Sequence, residues 1–166
     1  MPTGQPQDTP ESVPVRTKVF ISYSHSDRKY LDRLLVHLSP LVETGQADVW
    51  ADTRLQPGTA WLKEICNALA ETKVAILLVS IDFLASRFIA NEELPPLLKA
   101  AEQEGVLILP VIVGQCRERF LRTPSLAQYQ AINDPAQPLS KLKGEQRDFV
   151  WDRLIARVED YLYGSG

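Results

Sequence analysis

The chain has 166 residues, 45% of them hydrophobic, which suits one domain with a sizeable buried core. Its 18 basic and 21 acidic side chains are interspersed and give a net charge of -3, which excludes a broad cationic surface for nucleic acid. The two cysteines and two histidines are too few for a disulfide framework or a zinc site, so we expect no metal and expect Cys66 and Cys116 to be buried.

The two ends of the chain differ in composition from its middle. Residues 1–16 include four prolines and almost no bulky apolar side chain, which predicts a disordered leader. Residues 17–162 form the predicted domain, and residues 163–166 end in a Gly-Ser-Gly tail that is typical of a leftover linker. No apolar run reaches the ~18 to 20 residues of a membrane-spanning helix. We therefore expect a cytoplasmic domain, cut from a longer polypeptide, with no membrane or direct nucleic-acid partner.

The first predicted elements are a strand and a helix. Lys18–Tyr23 is a short run of β-branched and aromatic residues followed by polar ones, which predicts a buried strand. The helix after it has Ser26 or Asp27 as its expected N-cap. Its apolar face is formed by leucines at the i, i+3, i+4, i+7 spacing, namely Leu31, Leu34, Leu35 and Leu38.

The middle of the chain predicts a strand, a loop, a helix and a second strand. The strand covers Ala47–Trp50, and the loop Ala51–Gly58 ends in the turn-forming pair Pro-Gly. Thr59 is the expected cap of the helix that follows. Val74–Val79 has no polar alternation, as a central parallel strand covered on both faces requires.

The second half of the chain predicts further alternation of helix and strand. We expect a helical turn over Phe83–Phe88 and a helix that starts near Pro95, because proline is tolerated only in the first turn. Val106–Val113 is the predicted fourth strand, and Gln128–Ile132 is a weak candidate for a fifth. An amphipathic helix over Arg147–Tyr161 closes the domain.

Strands that alternate with helices predict a flavodoxin-like three-layer α/β fold, with helices on both faces of an open parallel sheet. We expect about five strands in the order 2-1-3-4-5. The winding direction then reverses between strands one and three, and a functional crevice lies beyond their carboxyl ends. Ser22, Tyr23 and Ser80 lie at those ends. Trp61 and Glu64 stand three positions apart on one face of the next helix and can reach the same crevice.

The residues near this crevice do not support three other chemistries. A phosphoacceptor receiver domain needs an acidic pair after strand one and an aspartate after strand three, where this chain has Ser24-His25-Ser26 and Ser80. The glycines form neither a G-x-G-x-x-G nor a P-loop pattern, so no phosphate-binding loop is predicted. His25 is the histidine near the crevice, and no nucleophile stands in a strained turn beside it.

Four segments, taken in chain order, carry a family resemblance: FISYSHSD (Phe20–Asp27), VWADTRLQPGTAWLKEI (Val49–Ile65), LLVSIDFLASRF (Leu77–Phe88) and WDRLIARV (Trp151–Val158). Together they resemble a TIR (Toll/interleukin receptor) domain of the bacterial type. The match runs through most of the chain in the order of the family's strands and helices, so it is stronger than any single motif. The loop Ala51–Gly58 would be the BB loop of the family.

The resemblance implies one of two functions. Many bacterial and plant TIR domains cleave the nicotinamide-ribose bond of NAD⁺ and form ADP-ribose or a cyclic variant of it, often as immune effectors triggered by oligomerisation. Many animal TIR domains do no chemistry and serve as assembly modules. We accordingly expect NAD⁺ as substrate without a bound cofactor, a role in antiphage defence, self-association with other TIR domains, and a sensor or regulatory domain elsewhere in the polypeptide.

The resemblance also implies which residue is catalytic. The family's catalytic glutamate stands on the helix after the BB loop, just before an aliphatic residue, and Glu64 before Ile65 matches that position. Ordinary structural roles stay open for every candidate: Glu64 as a solvated charge, Trp61 as core packing, and the others as local ion pairs or hydroxyls that satisfy loop backbone. The expected substrate contacts are the polar and aromatic residues around the crevice, namely Ser22, Tyr23, Asp52, Arg54, Trp61 and Ser80.

Overall fold

The computed structural model describes residues 17–52, 59–86, 89 and 94–164. Beside the first gap it describes the backbone, but not the side chains, of residue 52 and residues 59–62. The leader predicted over residues 1–16 lies outside the described residues.

A parallel sheet of four strands, in the order β2-β1-β3-β4, forms the centre of the described structure. Phe20 lies in register with Trp50 on one side and with Ala75 on the other, so the first strand is central. This confirms the flavodoxin-like α/β fold and the reversal of winding between the first and third strands. The strands are β1 (Lys18–Ser22), β2 (Asp48–Asp52), β3 (Thr72–Val79) and β4 (Leu107–Ile112).

Helices connect the strands and cover both faces of the sheet. The helix after β2 begins at Thr59, as predicted, and the helix before β4 begins at Leu94 with its two prolines in the first turn, where they cost no hydrogen bond. Short 3₁₀ turns lie at His25–Asp27 and Leu139–Lys141. The helices whose bounds the described residues give are α1 (Arg28–Glu43), α2 (Thr59–Ala70), α3 (Ile81–Ala85), α4 (Leu94–Gln103), α5 (Arg117–Leu121), α6 (Pro124–Ala127) and α7 (Gly144–Tyr163).

The core consists of two apolar layers, one on each face of the sheet. Side chains along a strand alternate between the faces, so Ile76 packs with α1 and α7 whereas its neighbour Leu77 packs with α2 and α4. Both residues are 0% exposed. Burial of a side chain of this size contributes about 1.5–3 kcal/mol, so the two layers hold the strands, and therefore the strand ends, from both sides.

The weak fifth strand predicted over Gln128–Ile132 does not form. Instead, the Ile132 amide donates one backbone hydrogen bond of 2.8 Å to the Pro110 carbonyl at the outer edge of β4. The buried amide of Asn133 replaces the next rung, because its Oδ1 accepts from the Ile112 N–H and its Nδ2 donates to the Ile112 carbonyl, each at 2.9 Å. Pro110 has no N–H for a ladder, which is why it is found on an edge strand.

Two further differences concern the region around α2. β2 runs through Ala51 and Asp52, so the predicted loop Ala51–Gly58 is wrong at its start, and the rest of that loop lies outside the described residues. Cys66 is exposed rather than buried, because the inner face of α2 is formed by Ile65, Ala68 and Leu69. It lies beside an apolar cavity of about 170 Å³ between α2 and α4.

Cys116 is buried as predicted. Burial raises the pKa of its thiol to about 11, so the sulfur stays protonated at neutral pH and acts as a small apolar group.

Candidate functional site

The carboxyl ends of β1 and β3 lie side by side at one edge of the sheet, because the two strands are parallel neighbours. Ser22 closes β1 and is half-buried, Tyr23 follows it, and Ser80 follows β3. The structure therefore brings these three predicted site residues together at the crevice position of the fold.

Ser80 is buried, and its hydroxyl has two protein partners. Its Oγ donates to Oδ2 of Asp27 at 2.5 Å and accepts from the Phe83 N–H at 3.1 Å. The second bond caps α3, which explains why a helix can begin directly after β3. These contacts give the Ser80 hydroxyl a structural role, and its contact with a substrate stays a prediction.

Asp27 is the residue at this edge that sequence reasoning missed. It was expected only as an N-cap, but its side chain makes no capping bond to α1 and is instead buried against Ser80. Burial raises the pKa of this carboxyl, the hydrogen bond from Ser80 lowers it, and the negative charge of Asp82 raises it. A polar residue at a helix start is in most cases exposed, so the sequence carried no signal of this burial.

Further side-chain hydrogen bonds lead from this edge towards solvent. Ser26 Oγ donates to Oδ2 of Asp82 at 2.9 Å and lies 3.1 Å from Ser24 Oγ. Ser24 is buried, whereas Ser26 and Asp82 are exposed. The loop after β1 is thereby tied to the first turn of α3. Groups of this kind can hold the hydroxyls of a small polar molecule by hydrogen bonds.

Tyr23 is buried to 1% exposure and belongs to the apolar layer beneath α1 and α7. The pKa of the Arg28 guanidinium is raised chiefly by its hydrogen bond to Asp32, and the Tyr23 phenol adds to that effect. The buried ring offers little surface to a ligand in the crevice, and its predicted contact with substrate stays a prediction.

Glu64 lies in the second turn of α2, and its side chain is exposed. The next residue, Ile65, is 1% exposed and packs into the layer beneath α2. Ile65 therefore fixes the rotation of the helix and keeps Glu64 on its solvent side. A carboxylate placed in this way is accessible to a small molecule, and it also has the exposure of an ordinary surface charge.

The other predicted site residues lie at the margin of the described chain. Asp52 ends β2 opposite Ser22, at the same edge of the sheet as the crevice, but its side chain is outside the description. The same holds for the side chain of Trp61 on α2, and Arg54 lies outside the described residues altogether.

The part of the chain that the structure describes contains neither a metal site nor a membrane-spanning helix. In that part, no three His, Cys, Asp or Glu side chains approach one another closely enough to hold a metal ion. No helix there has both the length and the apolar composition needed to cross a membrane.

Comparison with known families gives one match that covers more than half of the chain. A family model described as TIR domain matches residues 19–143. The matched range contains β2, β3, β4, all of β1 except Lys18, and Glu64, and it ends just before α7 begins at Gly144.

Comparison with individual proteins gives a bacterial relative. The chain is 31% identical over 98 residues to an uncharacterised protein, y4lF, of Sinorhizobium fredii (strain NBRC 101917 / NGR234). The aligned part covers 59% of this chain and 30% of the relative. The aligned part of the chain therefore spans less than a third of the length of that protein.

Proposed function

The chain belongs to the TIR domain family, and from that membership we propose that it is an NAD⁺ glycohydrolase. It cleaves the nicotinamide-ribose bond of NAD⁺ and releases nicotinamide together with ADP-ribose or a cyclic ADP-ribose variant. It does so in the bacterial cytoplasm, as an immune effector in antiphage defence that oligomerisation activates. NAD⁺ is the substrate, and this chemistry needs no bound cofactor.

The position of Glu64 is the observation that supports this proposal most directly. Glu64 is accessible on α2, the helix that follows β2, and the adjacent Ile65 anchors that part of the helix in the core. The carboxyl end of β2 lies at the same edge of the sheet as Ser22, because β1 and β2 are parallel and in register. We therefore assign the catalytic role to Glu64.

One carboxylate is enough for the proposed reaction. As the bond between ribose and the pyridinium ring breaks, its electron pair leaves with nicotinamide, positive charge develops on the sugar, and a fixed anion beside it stabilises that charge. Water then adds to the sugar carbon and loses a proton to give ADP-ribose, or a nucleophilic group of the same molecule adds there to give the cyclic variant. Nicotinamide leaves as a neutral base, so no strong general acid is needed. Groups that stabilise a transition-state charge in this way contribute about 10²–10³ to the rate.

The other residues around the crevice are proposed to position the substrate. Trp61 would supply an aromatic wall against the nicotinamide or ribose, and an acidic or hydroxyl group can accept or donate hydrogen bonds to the ribose hydroxyls. The proposed substrate contacts are Ser22, Tyr23, Asp52, Arg54, Trp61 and Ser80.

Two kinds of protein partner follow from the proposal. The first is another TIR domain, because activation by oligomerisation requires self-association. The second is a sensor or regulatory domain, and the length of the S. fredii relative, of which the aligned part covers 30%, is consistent with such additional domains.

The test is release of nicotinamide from NAD⁺ by purified protein that has been concentrated or tethered into clusters. Glu64→Gln keeps the size of the side chain but replaces the acceptor-only carboxylate by a neutral amide, and we expect it to lower nicotinamide release at least about 100-fold. Glu159→Gln is the matched control, because Glu159 is also exposed but lies on α7, on the other face of the sheet. Unchanged melting temperatures would show that both variants fold, and undiminished release by Glu64→Gln would remove Glu64 from the role.

A non-enzymatic TIR interaction module is the second candidate. The exposure of Glu64 favours it, because solvent around an exposed carboxylate weakens its interaction with a developing charge. In that case the chain self-associates through the segment Ala51–Gly58. Clustered protein that forms oligomers but leaves NAD⁺ intact would support the module and refute the enzyme.

A further inference from the structure

A cleft of about 270 Å³ opens between the beginnings of α1 and α7, in the layer on the opposite face of the sheet from Glu64. Its walls contain three cationic side chains and one anionic side chain, although the whole chain has a net charge of -3. The lining residues are Lys29, Tyr30, Arg33, Gly144, Arg147, Asp148 and Trp151.

The single anionic residue of the cleft is already engaged. Nη2 of Arg33 lies 3.2 Å from Oδ1 and 3.3 Å from Oδ2 of Asp148, and Nε2 of His37 lies 3.1 Å from Oδ1. The hydrogen bonds from His37 and then Arg33 lower the pKa of the Asp148 carboxyl. Asp148 and Arg33 therefore neutralise each other, and the other two cations of the cleft are not balanced by this carboxylate.

Lys29 and Arg147 both lie against the ring of Tyr30. Nζ of Lys29 is 5.1 Å from the ring centroid, and Cζ of Arg147 is 5.8 Å from it. Cation-π attraction holds each cation at the ring, but the two like charges repel each other. Within the ranges that the structure describes, neither lies within 4.0 Å of a carboxylate oxygen, although the Lys29 charge acts at longer range on the buried Asp27 carboxyl. An anion between the two cations would lower their mutual repulsion.

The hydrogen bond of Arg147 and the N-terminal end of α7 also favour an anion in the cleft. Nε of Arg147 donates to the Leu139 carbonyl at 2.7 Å, which anchors the guanidinium of a residue that lines the cleft and does not use its two terminal nitrogens. Gly144 is the first residue of α7, a helix of 20 residues whose N-terminal end carries partial positive charge. A Cβ at Gly144 would meet no atom within 4 Å, so the backbone borders open space there.

We propose that this cleft binds an oxyanion of the phosphate class, either inorganic phosphate or the phosphate group of a small phosphomonoester. Lys29 provides a point charge, and Arg147 provides two parallel donors that match two oxygens of the anion. Tyr30 holds both cations in place. The volume of the cleft accommodates the anion with a few further atoms of an organic phosphate.

The test is titration of the purified chain with sodium phosphate, followed by backbone amide NMR, with sodium chloride at equal ionic strength as the reference. A parallel titration with ribose 5-phosphate distinguishes inorganic phosphate from a phosphomonoester as the ligand. A titration with ribose measures what the sugar alone contributes. Equal affinity for phosphate and ribose 5-phosphate identifies the free ion, and tighter binding of ribose 5-phosphate identifies a phosphomonoester. Saturable shifts at Tyr30 and Gly144 are expected with both phosphates.

Variants connect the binding to the two cations. Lys29→Gln and Arg147→Gln are each expected to raise the Kd for phosphate about three- to tenfold. Arg122→Gln is the matched control, since it removes one exposed cation next to α5, in the other layer, and should leave the Kd unchanged. Lys29 is exposed, so its replacement tests the site even if Arg147→Gln fails to fold. Either no saturable shift beyond the chloride reference or an identical Kd in Lys29→Gln and Arg122→Gln overturns the proposal.

Discussion

The hydroxyl of Ser80 donates a hydrogen bond of 2.5 Å to the buried carboxyl of Asp27. This contact joins the residue after β3 to the residue before α1, across the two strand ends where the winding of the sheet reverses. The same hydroxyl accepts from the Phe83 N–H and so caps α3. One side chain therefore determines the geometry of both loops that border the proposed crevice.

Replacement of Ser80 by Ala should destabilise the fold by about 2–4 kcal/mol, because it removes a helix cap and leaves the buried Asp27 carboxyl without a donor. Urea unfolding measures the loss. Ser140→Ala, at an exposed position, should change the free energy of unfolding by less than about 0.5 kcal/mol. Similar losses in the two variants would show that the Asp27 contact contributes little.

Replacement of Asp27 by Asn tests the cost of ionising this carboxyl. Burial raises its pKa above the ordinary value of 3.8, so the folded protein holds the proton more tightly than the unfolded chain does. The stability of the unsubstituted protein relative to Asp27→Asn should be greatest below pH 3.8 and fall as the pH rises through the raised pKa. Urea unfolding of both proteins at a series of pH values measures this difference, and a relative stability that increases with pH would refute it.

Replacement of Asn133 by Ala should cost about 2–4 kcal/mol, because the N–H and carbonyl of Ile112 then lose their side-chain partner in a buried position. Hydrogen exchange of the Ile112 amide should accelerate in the variant. Asn67→Ala is the matched control: Asn67 is exposed on α2, where alanine is the better helix former, so no loss is expected. An Ile112 amide that stays protected in Asn133→Ala would contradict the assigned role.

The carboxyl of Asp148 should titrate below its ordinary pKa of 3.8, because His37 and Arg33 donate hydrogen bonds to its ionised form. His37→Gln should raise that pKa, since the bond from His37 is the largest cause of the shift. The stability contributed by this group is present above the unfolded pKa and is lost as the pH falls through the folded pKa. An NMR titration that follows the side-chain carboxyl of Asp148 measures the midpoint. Arg119→Gln, at an exposed position on α5, serves as the control. A midpoint that His37→Gln leaves unchanged would exclude the bond from His37 as the cause.

The architecture was largely predictable, because the patterns that determine it are local. Val74–Val79 is apolar without interruption, and such a strand must be covered on both faces. The number of strands was not predicted correctly. Pro110 inside the fourth strand was the available signal, because proline within a strand favours an edge position. The replacement of a rung by the Asn133 side chain depends on a contact between distant residues, which no local pattern reveals.

The candidate site was predictable only in part. Ser22, Tyr23 and Ser80 could be placed at one edge of the sheet because the strand order determines where the strand ends meet. The role of Glu64 rests on the family resemblance, since an exposed glutamate on a helix has no distinctive pattern. Asp27 is buried because the loop before α1 packs against the loop before α3. This contact joins distant parts of the chain, so it could not be inferred from the neighbours of Asp27 in sequence.

Pro110 and Asn133 also affect how this side of the sheet can meet another molecule. An extended peptide approaching Pro110–Ile112 would find one residue that has no N–H and another whose polar backbone groups are both occupied. The addition of another strand, by β-augmentation or by amyloid-like stacking, is therefore blocked along this stretch. Pro110 and Asn133 provide the protection that a charged side chain such as lysine provides on many edge strands. Copies of this domain that assemble cannot do so by lengthening the sheet there, which leaves β2, the other edge strand, and the helices and loops for such contacts.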